Sequence, residues 1–244
     1  MSAPILVLAD IHGNLEALEA VLESVAGRYR KIWVVGDIFG YGPDPLACFD
    51  LLRDLDALMV AGNHDQAAAG IVDAAHFNHD ARAALHLHRK LLDDARKALL
   101  AGLPTVLIQQ SITLVHGNLD NPIWGYTLTA LDAGRVLAAT TTPLTLVGHT
   151  HLPALWTYEP DFGVRAKRIP YGRELHYTEA PHLANPGSVG QPRDKDVSAR
   201  YMILNPERKT MVFERCPWPF EPFRRKMRTR GYPEALIRRM IPGN

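Results

Sequence analysis

The stretch ILVLADIHGN, residues 5–14, is an apolar run of strand length that stops abruptly at a carboxylate. Side chains of an extended backbone alternate sides, so an unbroken apolar run from Ile5 to Ala9 needs cover on both faces, as in a central strand of a layered α/β fold. Asp10 and His12 then fall at or just past its carboxyl end, where open α/β sheets bind their ligands. NLEALEAVLESVAG (14–27) follows with apolar residues at helical spacing, Asn14 as a candidate N-cap and Gly27 as a stop. The β–α pair then repeats. IWVV (32–35) ends at Gly36 and Asp37, PDPLACFDLLRDL (43–55) reads as a helix with proline near its start, and DALMVAG (56–62) leads into Asn63.

Residues 66–101 are alanine-rich and nearly free of glycine and proline, which predicts one or two helices inserted beside the sheet. TVLIQQ and ITLVHG, separated by a single residue, predict a hairpin ending at His116, and a helix is expected around 129–140. LTLVGHTH (144–151) is another strand, carrying two imidazoles one residue apart. If the backbone stays extended through Thr150, period-two alternation aims His149 and His151 at one point. The runs ALWTYE, RAKRIPYG, RYMILN and TMVFERC suggest a second sheet before a helical tail from about 219. The reading is a single domain over 1–244, with a helical insertion at 66–101 and a tail at 219–244.

Composition narrows the class. A hydrophobic fraction of 47% with 22% charged residues is that of a soluble globular protein. The net charge of +1 gives no global attraction to a polyanion, so nucleic acid is not a favoured partner. Residues 215–244 carry eight Lys or Arg against two acidic residues, which reads as a solvated helix face. Two cysteines exclude a disulfide framework and a thiolate zinc cluster. The amino terminus lacks a basic n-region and no apolar run approaches the roughly 18 residues of a spanning helix. The expected setting is cytoplasmic, without a membrane partner.

Asp10, His12, Asp37, Asn63, His116, His149 and His151 all fall at or just beyond predicted strand ends. Two carboxylates, an amide oxygen and four imidazoles form an oxygen and nitrogen donor set without thiolate, suited to manganese, iron, zinc or another divalent ion. Seven donors exceed one tetrahedral site and suit two ions sharing a bridging carboxylate. Such a pair, roughly 3.5 to 4 Å apart, lowers the pKa of a shared water and neutralises phosphate oxygens.

The fragments DIH (10–12), GD (36–37), GNHD (62–65), HG (116–117) and GHTH (148–151), closed by NPGSVGQPRD (185–194), make the chain resemble the calcineurin-like metallophosphoesterases, particularly their small bacterial and archaeal phosphodiesterase-type members. The resemblance implies a four-layer αββα sandwich of two mixed β-sheets flanked by helices, within the broad α/β (α+β) class. It implies that Asp10, His12, Asp37 and His151 hold one metal while Asp37, Asn63, His116 and His149 hold the other, with manganese expected and iron, zinc, nickel or magnesium as alternatives. It gives His64 the role of protonating or stabilising the leaving alkoxide, a task that an imidazole of ordinary pKa near 6.5 suits. Asp65 either orients that ring or caps the following helix.

Where the serine/threonine protein phosphatase branch reads G-D-x-x-D-R-G, this chain has GDIFGYG (36–42), with Gly40 and Tyr41 in place of the Asp and Arg. That departure argues against a protein phosphatase of that type. The glycines of this loop suggest a close approach to substrate, with Phe39 or Tyr41 stacking on a base. Further candidate substrate contacts are Asn14, Ser188 and Arg193, the last on a phosphate oxygen. His76, His79, His86, His88 and His176 read as exposed polarity, and His182 as a residue within reach of the site. GYPEALIRRM (231–240) carries an apolar stripe of Leu236, Ile237 and Met240 that fits packing or a homodimer contact. The expected function is phosphodiester or nucleotide hydrolysis. The alternatives are a dinucleoside polyphosphate hydrolase, a phosphomonoesterase and, outside enzymes, a protein-binding scaffold.

Overall fold

The alternation in β1 (Ile5–Leu8) sets the layering. Leu6 and Leu8 join a core with the helices, whereas Ile5, Val7 and Ala9 join a second core shared with another sheet. The computed structural model describes residues 4–194 and 196–240, so the last four residues of the expected tail, 241–244, lie outside the described residues. After β1 come α1 (Leu15–Ser24), β2 (Lys31–Val35), α2 (Pro45–Asp54) and β3 (Leu58–Val60). The expected insertion is α3 (Asn63–Ala69), a 3₁₀ turn at Ala74–His76, α4 (His79–Leu91) and α5 (Asp94–Ala101). The chain continues through β4 (Val106–Gln109), β5 (Ile112–Val115), α6 (Ala130–Ala139), β6 (Leu144–Leu146), β7 (Ala154–Glu159) and β8 (Gly163–Ala166). It closes with β9 (Glu174–His176), β10 (His182–Asn185), β11 (Ala199–Asn205), β12 (Thr210–Cys216), α7 (Phe220–Thr229) and α8 (Glu234–Met240).

Two six-stranded mixed sheets result, in the orders β3-β2-β1-β11-β12-β9 and β4-β5-β6-β10-β7-β8. In the first, β1, β2 and β3 are parallel and β11, β12 and β9 extend it antiparallel. In the second, β5, β6 and β10 are parallel, with β4 and the β7–β8 pair antiparallel at its edges. Trp33, Met202, Phe213, Leu114, Leu146 and Ala184 meet between the sheets. Helices α1, α2, α4, α7 and α8 cover the outer face of the first sheet, and α6 covers the second through Ala133, Val136 and Leu137. These are the four layers expected.

The C-terminal strands, expected to form a second sheet, are shared between the two sheets. They divide, β7, β8 and β10 joining β4–β6 while β9, β11 and β12 join β1. Strand β11 pairs antiparallel with the buried β1, on the edge opposite β2. The hairpin is as read, turning through Gln110 and Ser111, both at positive φ (51° and 57°), the geometry that matches strand twist. Leu236, Ile237 and Met240 are buried, so the terminal stripe packs against this chain. The basic tail is not merely solvated: Lys226 lies 2.8 Å from both Glu16 and Asp44, and Arg230 2.7 Å from Asp44. No helix among the described residues is long and apolar enough to cross a membrane.

The inter-sheet core makes a checkable claim. Phe213 is fully buried there. Phe213→Ala is expected to lower unfolding free energy by about 3 to 5 kcal/mol through lost burial and the cavity left behind. Urea denaturation measures this, and a loss below about 1 kcal/mol would show that this layer is not cohesive.

Candidate metal centre

The parallel strands of both sheets point their carboxyl ends into one crevice, and backbone bonds stitch the loops together there. Asp10 N donates to Gly36 O (3.1 Å), His12 N to Asp37 O (2.9 Å) and Gly148 N to His116 O (2.9 Å). Val189 N and Gly190 N donate to Ala9 O and Asp10 O, both at 3.0 Å, which lays the 185–194 loop against the first strand. All seven sequence-predicted donors are buried here: Asp10, His12, Asp37, Asn63, His116, His149 and His151.

The local backbone differs from expectation. Asp10, His12, Asp37, Tyr41, His149 and His151 all have φ between 51° and 65°, six of the ten non-glycine residues with positive φ among those described. Backbone held in this region costs free energy and persists only where surroundings over-determine it. The extended path through Thr150 is therefore corrected: β6 ends at Leu146, and left-handed kinks, not strand alternation, turn the two imidazoles inward. They reach different partners. His151 Nε2 lies 3.0 Å from His12 Nε2, whereas His149 Nδ1 lies 3.2 Å from His116 Nε2.

Each of three rings is oriented by a backbone carbonyl. His12 Nδ1 donates to Phe39 O (2.9 Å), His116 Nδ1 to Val35 O (2.8 Å) and His151 Nδ1 to Gln191 O (2.6 Å). Those bonds aim each Nε2 into the crevice, and in the neutral rings of His12 and His151 they keep the proton on Nδ1 and leave Nε2 as a lone pair, the second-sphere arrangement that metal-binding histidines use. His12 and His151 thus face each other lone pair to lone pair. The donors fall into three clusters with ligand atoms within 4.8 Å: Asp10, His12 and His151; His12, Asp37 and His64; Asp37, His116 and His149. Asp37 is shared by the last two, and Asn63 Oδ1 lies 3.2 Å from His116 Nε2. Asp10 Oδ2, His149 Nε2 and His64 Nδ1 are buried with no hydrogen-bond partner among the described residues. Lone pairs aimed at one another, with a shared carboxylate and orphaned buried atoms, fit divalent cations.

The electrostatics agree. Burial pushes His12, His64 and His149 down to about 3 and His151 well down, so all four are neutral imidazoles at neutral pH. Burial, reinforced by the charge of Asp37, pushes Asp10 up to about 7. For His116, burial opposes the charged ring, but the neighbouring Asp37 outweighs it and raises the group to about 9. Burial likewise works to raise Asp37, and His116 and His64 outweigh it, holding the carboxylate well below its usual range. The ordinary titration expected of His64 therefore does not hold in the protein alone.

Asn63 opens α3, so His64 diverges from it by a helical step and not by strand alternation. His64 N donates to Asp37 Oδ1 (2.9 Å), and its ring lies against His12, Tyr41 and Phe77. Asp65 does not orient that ring; it helps cap α3, not as the N-cap, which is Gly62, but from the third helical position. Its oxygens accept from Asp37 N (2.8 Å), Phe39 N (2.9 Å) and Gly62 N (2.9 Å), tying the 36–42 loop to the α3 terminus. A Cβ on Gly62 would lie 2.1 Å from Asp37 Oδ1, so glycine is required where these loops meet. Asn185, at the end of β10, donates to Gly148 O (2.8 Å) and Thr150 Oγ1 (3.0 Å), bracing the GHTH turn.

The proposed substrate contacts separate. Arg193 is exposed, and its charge acts on Asp10, His12, His64 and His149, so it stands at the mouth of the crevice. Asn14 is the N-cap of α1, accepting from Ala17 N (3.0 Å) and donating to Gly190 O (3.0 Å), so both side-chain polar atoms are committed. Ser188 is fully buried, donating to Asp10 O (2.7 Å) and accepting from Gln191 N (2.8 Å). Phe39 is fully buried against Phe49 and His88, and Tyr41 is buried beneath Arg239, so neither ring offers a face for stacking. The close approach at Gly40 is to His64, not to a ligand: a Cβ there would lie 2.4 Å from His64 Nδ1.

His88 is also corrected, from exposed polarity to fully buried. Ala81, Ala84, Leu85 and His88 form the inward stripe of α4, a helical spacing visible in the sequence. Its Nδ1 accepts from Gly40 N (3.3 Å), and its Nε2 contacts Gly42 O (2.9 Å) and Tyr232 Oη (3.0 Å), linking insertion and tail to the loop bearing Tyr41. His182, at the start of β10, contacts Ala180 O and Tyr177 rather than the crevice. Trp124 and Tyr126 escaped the sequence reading altogether, yet both pack beside His149.

Residues 4–209 match the calcineurin-like phosphoesterase superfamily domain. A solved metallophosphoesterase from Sphaerobacter thermophilus is similar over 100% of both chains, with 37% identity and a TM-score of 0.89. Uncharacterized protein MJ0912 of Methanocaldococcus jannaschii is 32% identical over 98% of both chains. The symmetrical bis(5'-nucleosyl)-tetraphosphatase of Chromohalobacter salexigens is 39% identical, but over 24% of this chain and 23% of that one.

Asp65 carries the prediction here. Asp65→Ala would leave three buried backbone N–H groups without their acceptor, each worth roughly 1 to 3 kcal/mol. Thermal unfolding should show a fall of several degrees, and elemental analysis a substoichiometric metal content after manganese loading. A Tm within about 1 °C of the parent together with full loading would remove Asp65 from this role.

Proposed function

Because this chain belongs to the calcineurin-like phosphoesterase superfamily, we propose that it is a dinuclear metal-dependent phosphoester hydrolase that acts on phosphodiesters or nucleotides. The observation that carries the reading is the pair of carbonyl-oriented imidazoles, His12 and His151, whose Nε2 lone pairs face each other, beside donor clusters of which two share Asp37. Asp10, His12, Asp37 and His151 hold one ion, and Asp37, Asn63, His116 and His149 the other. A donor set of oxygen and nitrogen without sulfur supports manganese, with iron, zinc, nickel or magnesium as alternatives. Two such ions supply Lewis acidity toward phosphate oxygens and a water activated at neutral pH.

The chain's own residues supply the rest. Arg193, at the mouth, takes a non-bridging phosphate oxygen by charge-assisted hydrogen bonding. Asp37, kept ionised chiefly by His116, balances charge between the two ligand sets. His64 serves the departing oxygen; what supports this is a buried Nδ1 without a partner in the same crevice and a wall of Gly40, Tyr41 and Phe77 that sets the ring. Burial favours its neutral form, and the negative charge of a bound phosphoester opposes that shift. The retention of every donor and of His64 supports an enzyme over a protein-binding scaffold. A second reading, hydrolysis of a dinucleoside polyphosphate, draws on the short resemblance to a symmetrical bis(5'-nucleosyl)-tetraphosphatase.

Asp37→Ala is expected to abolish both metal loading and turnover. His64→Ala should retain the metals by elemental analysis while turnover falls about 100- to 10,000-fold; emptying of the site instead would make His64 a ligand. Manganese-loaded protein assayed on p-nitrophenyl phosphate, bis-p-nitrophenyl phosphate and a dinucleoside tetraphosphate is expected to prefer the diester. Preference for the tetraphosphate selects the second reading. Turnover of none of them, with metal in place, overturns the proposal.

A further inference from the structure

Between His116 and α6 the chain passes through GNLDNPIWGYTLT (117–129), a loop that folds back over the crevice. Its shape is set internally. Gly117 N donates to Pro122 O (2.7 Å), Gly125 N to Asn121 O (2.9 Å) and Asn121 N to Asn118 Oδ1 (2.8 Å). Asn118 Nδ2 donates in turn to Tyr126 O (3.3 Å), and a Cβ on Gly125 would lie 2.2 Å from the Asn118 amide carbon. This packing holds two aromatic rings beside His149.

The Tyr126 ring centroid lies 4.2 Å from that of His149 with the planes 33° apart, and Tyr126 is 46% exposed. The imidazole thus packs on the ring while nearly half of the residue stays open to solvent. Trp124 stands edge-on to His149, at 81°, and packs on Phe77, which in turn packs on His64. Leu128, 54% exposed, continues the apolar surface outward. A partly exposed flat ring, beside an upright aromatic wall and bordering the crevice, offers a surface on which a planar aromatic group can stack. Base–aromatic stacking of this kind is tolerant of base identity because every base has a π-face.

We infer that Tyr126 is a substrate-binding residue, stacking the nucleobase of a nucleotide whose phosphate occupies the crevice between His149 and Arg193. This rests on the phosphoester reading above and deepens it, selecting nucleotide esters over esters of aliphatic alcohols. It moves base recognition from the 36–42 loop, where both aromatics are buried, to the 117–129 loop.

Isothermal titration of the full chain loaded with manganese tests it, using AMP and ribose 5-phosphate, which differ only in the base. The parent protein should bind AMP on the order of 10- to 100-fold tighter, the span of one base–aromatic stack. Tyr126→Ala should bring that ratio toward one through loss of AMP affinity, and Tyr126→Phe should restore it. A residue that merely propped His149 would lower metal content and both affinities together, which elemental analysis of each variant would reveal, and that result overturns the inference. Equal binding of the two ligands by the parent also overturns it while leaving the phosphate site standing. Binding of neither ligand by metal-loaded protein overturns both readings.

Discussion

Imidazole nitrogens that face one another lone pair to lone pair inside a buried crevice are compatible only with positive charge between them. The arrangement is imposed by bonds from the opposite side of each ring. His116, His12 and His151 each give their Nδ1 proton to a main-chain carbonyl, so the chain surrenders freedom of tautomer to keep Nε2 available. The bond from His116 to Val35 also joins the second sheet to the first, which makes the same contact structural and chemical.

Holding that geometry costs backbone free energy. Positive φ at Asp10, His12, Asp37, His149 and His151 is strained for residues with a Cβ. The compensation lies behind the crevice, in the apolar layer shared by the two sheets and in Asp65, whose carboxylate gathers three amide donors from two segments. Glycine at position 62 belongs to the same solution, because any side chain would displace Asp37. Strain and support are therefore contiguous, and the rigid elements carry the cost of the distorted ones.

The helical insertion and the C-terminal tail serve the site indirectly. Through His88 and Tyr232 they contact the carbonyl of Gly42, and through Lys226 and Arg230 they clamp Asp44. The loop between them carries Tyr41 onto His12 and His64. A buried histidine thus restrains this loop beside the His64 ring by hydrogen bonding. Burial, which pushes His88 down to about 4, keeps that link uncharged at neutral pH.

Sequence alone determined the strand ends, because continuous apolar runs interrupted by Asp, Asn or His report burial and its termination residue by residue. The seven side chains that meet in the crevice, the hairpin, the N-cap at Asn14 and the layered class were legible for that reason. What the sequence could not carry was direction and pairing. Whether His149 and His151 turn inward by alternation or by left-handed kinks depends on φ values that only the surrounding loops enforce. Whether a C-terminal strand joins one sheet or the other depends on which edge is free. The roles of Phe39, Tyr41, Ser188 and Tyr126 were decided in the same way, since a ring or hydroxyl is a ligand contact only if tertiary packing leaves a face of it uncovered. That is a property of the neighbours brought together by folding, and it has no signature in the local chain.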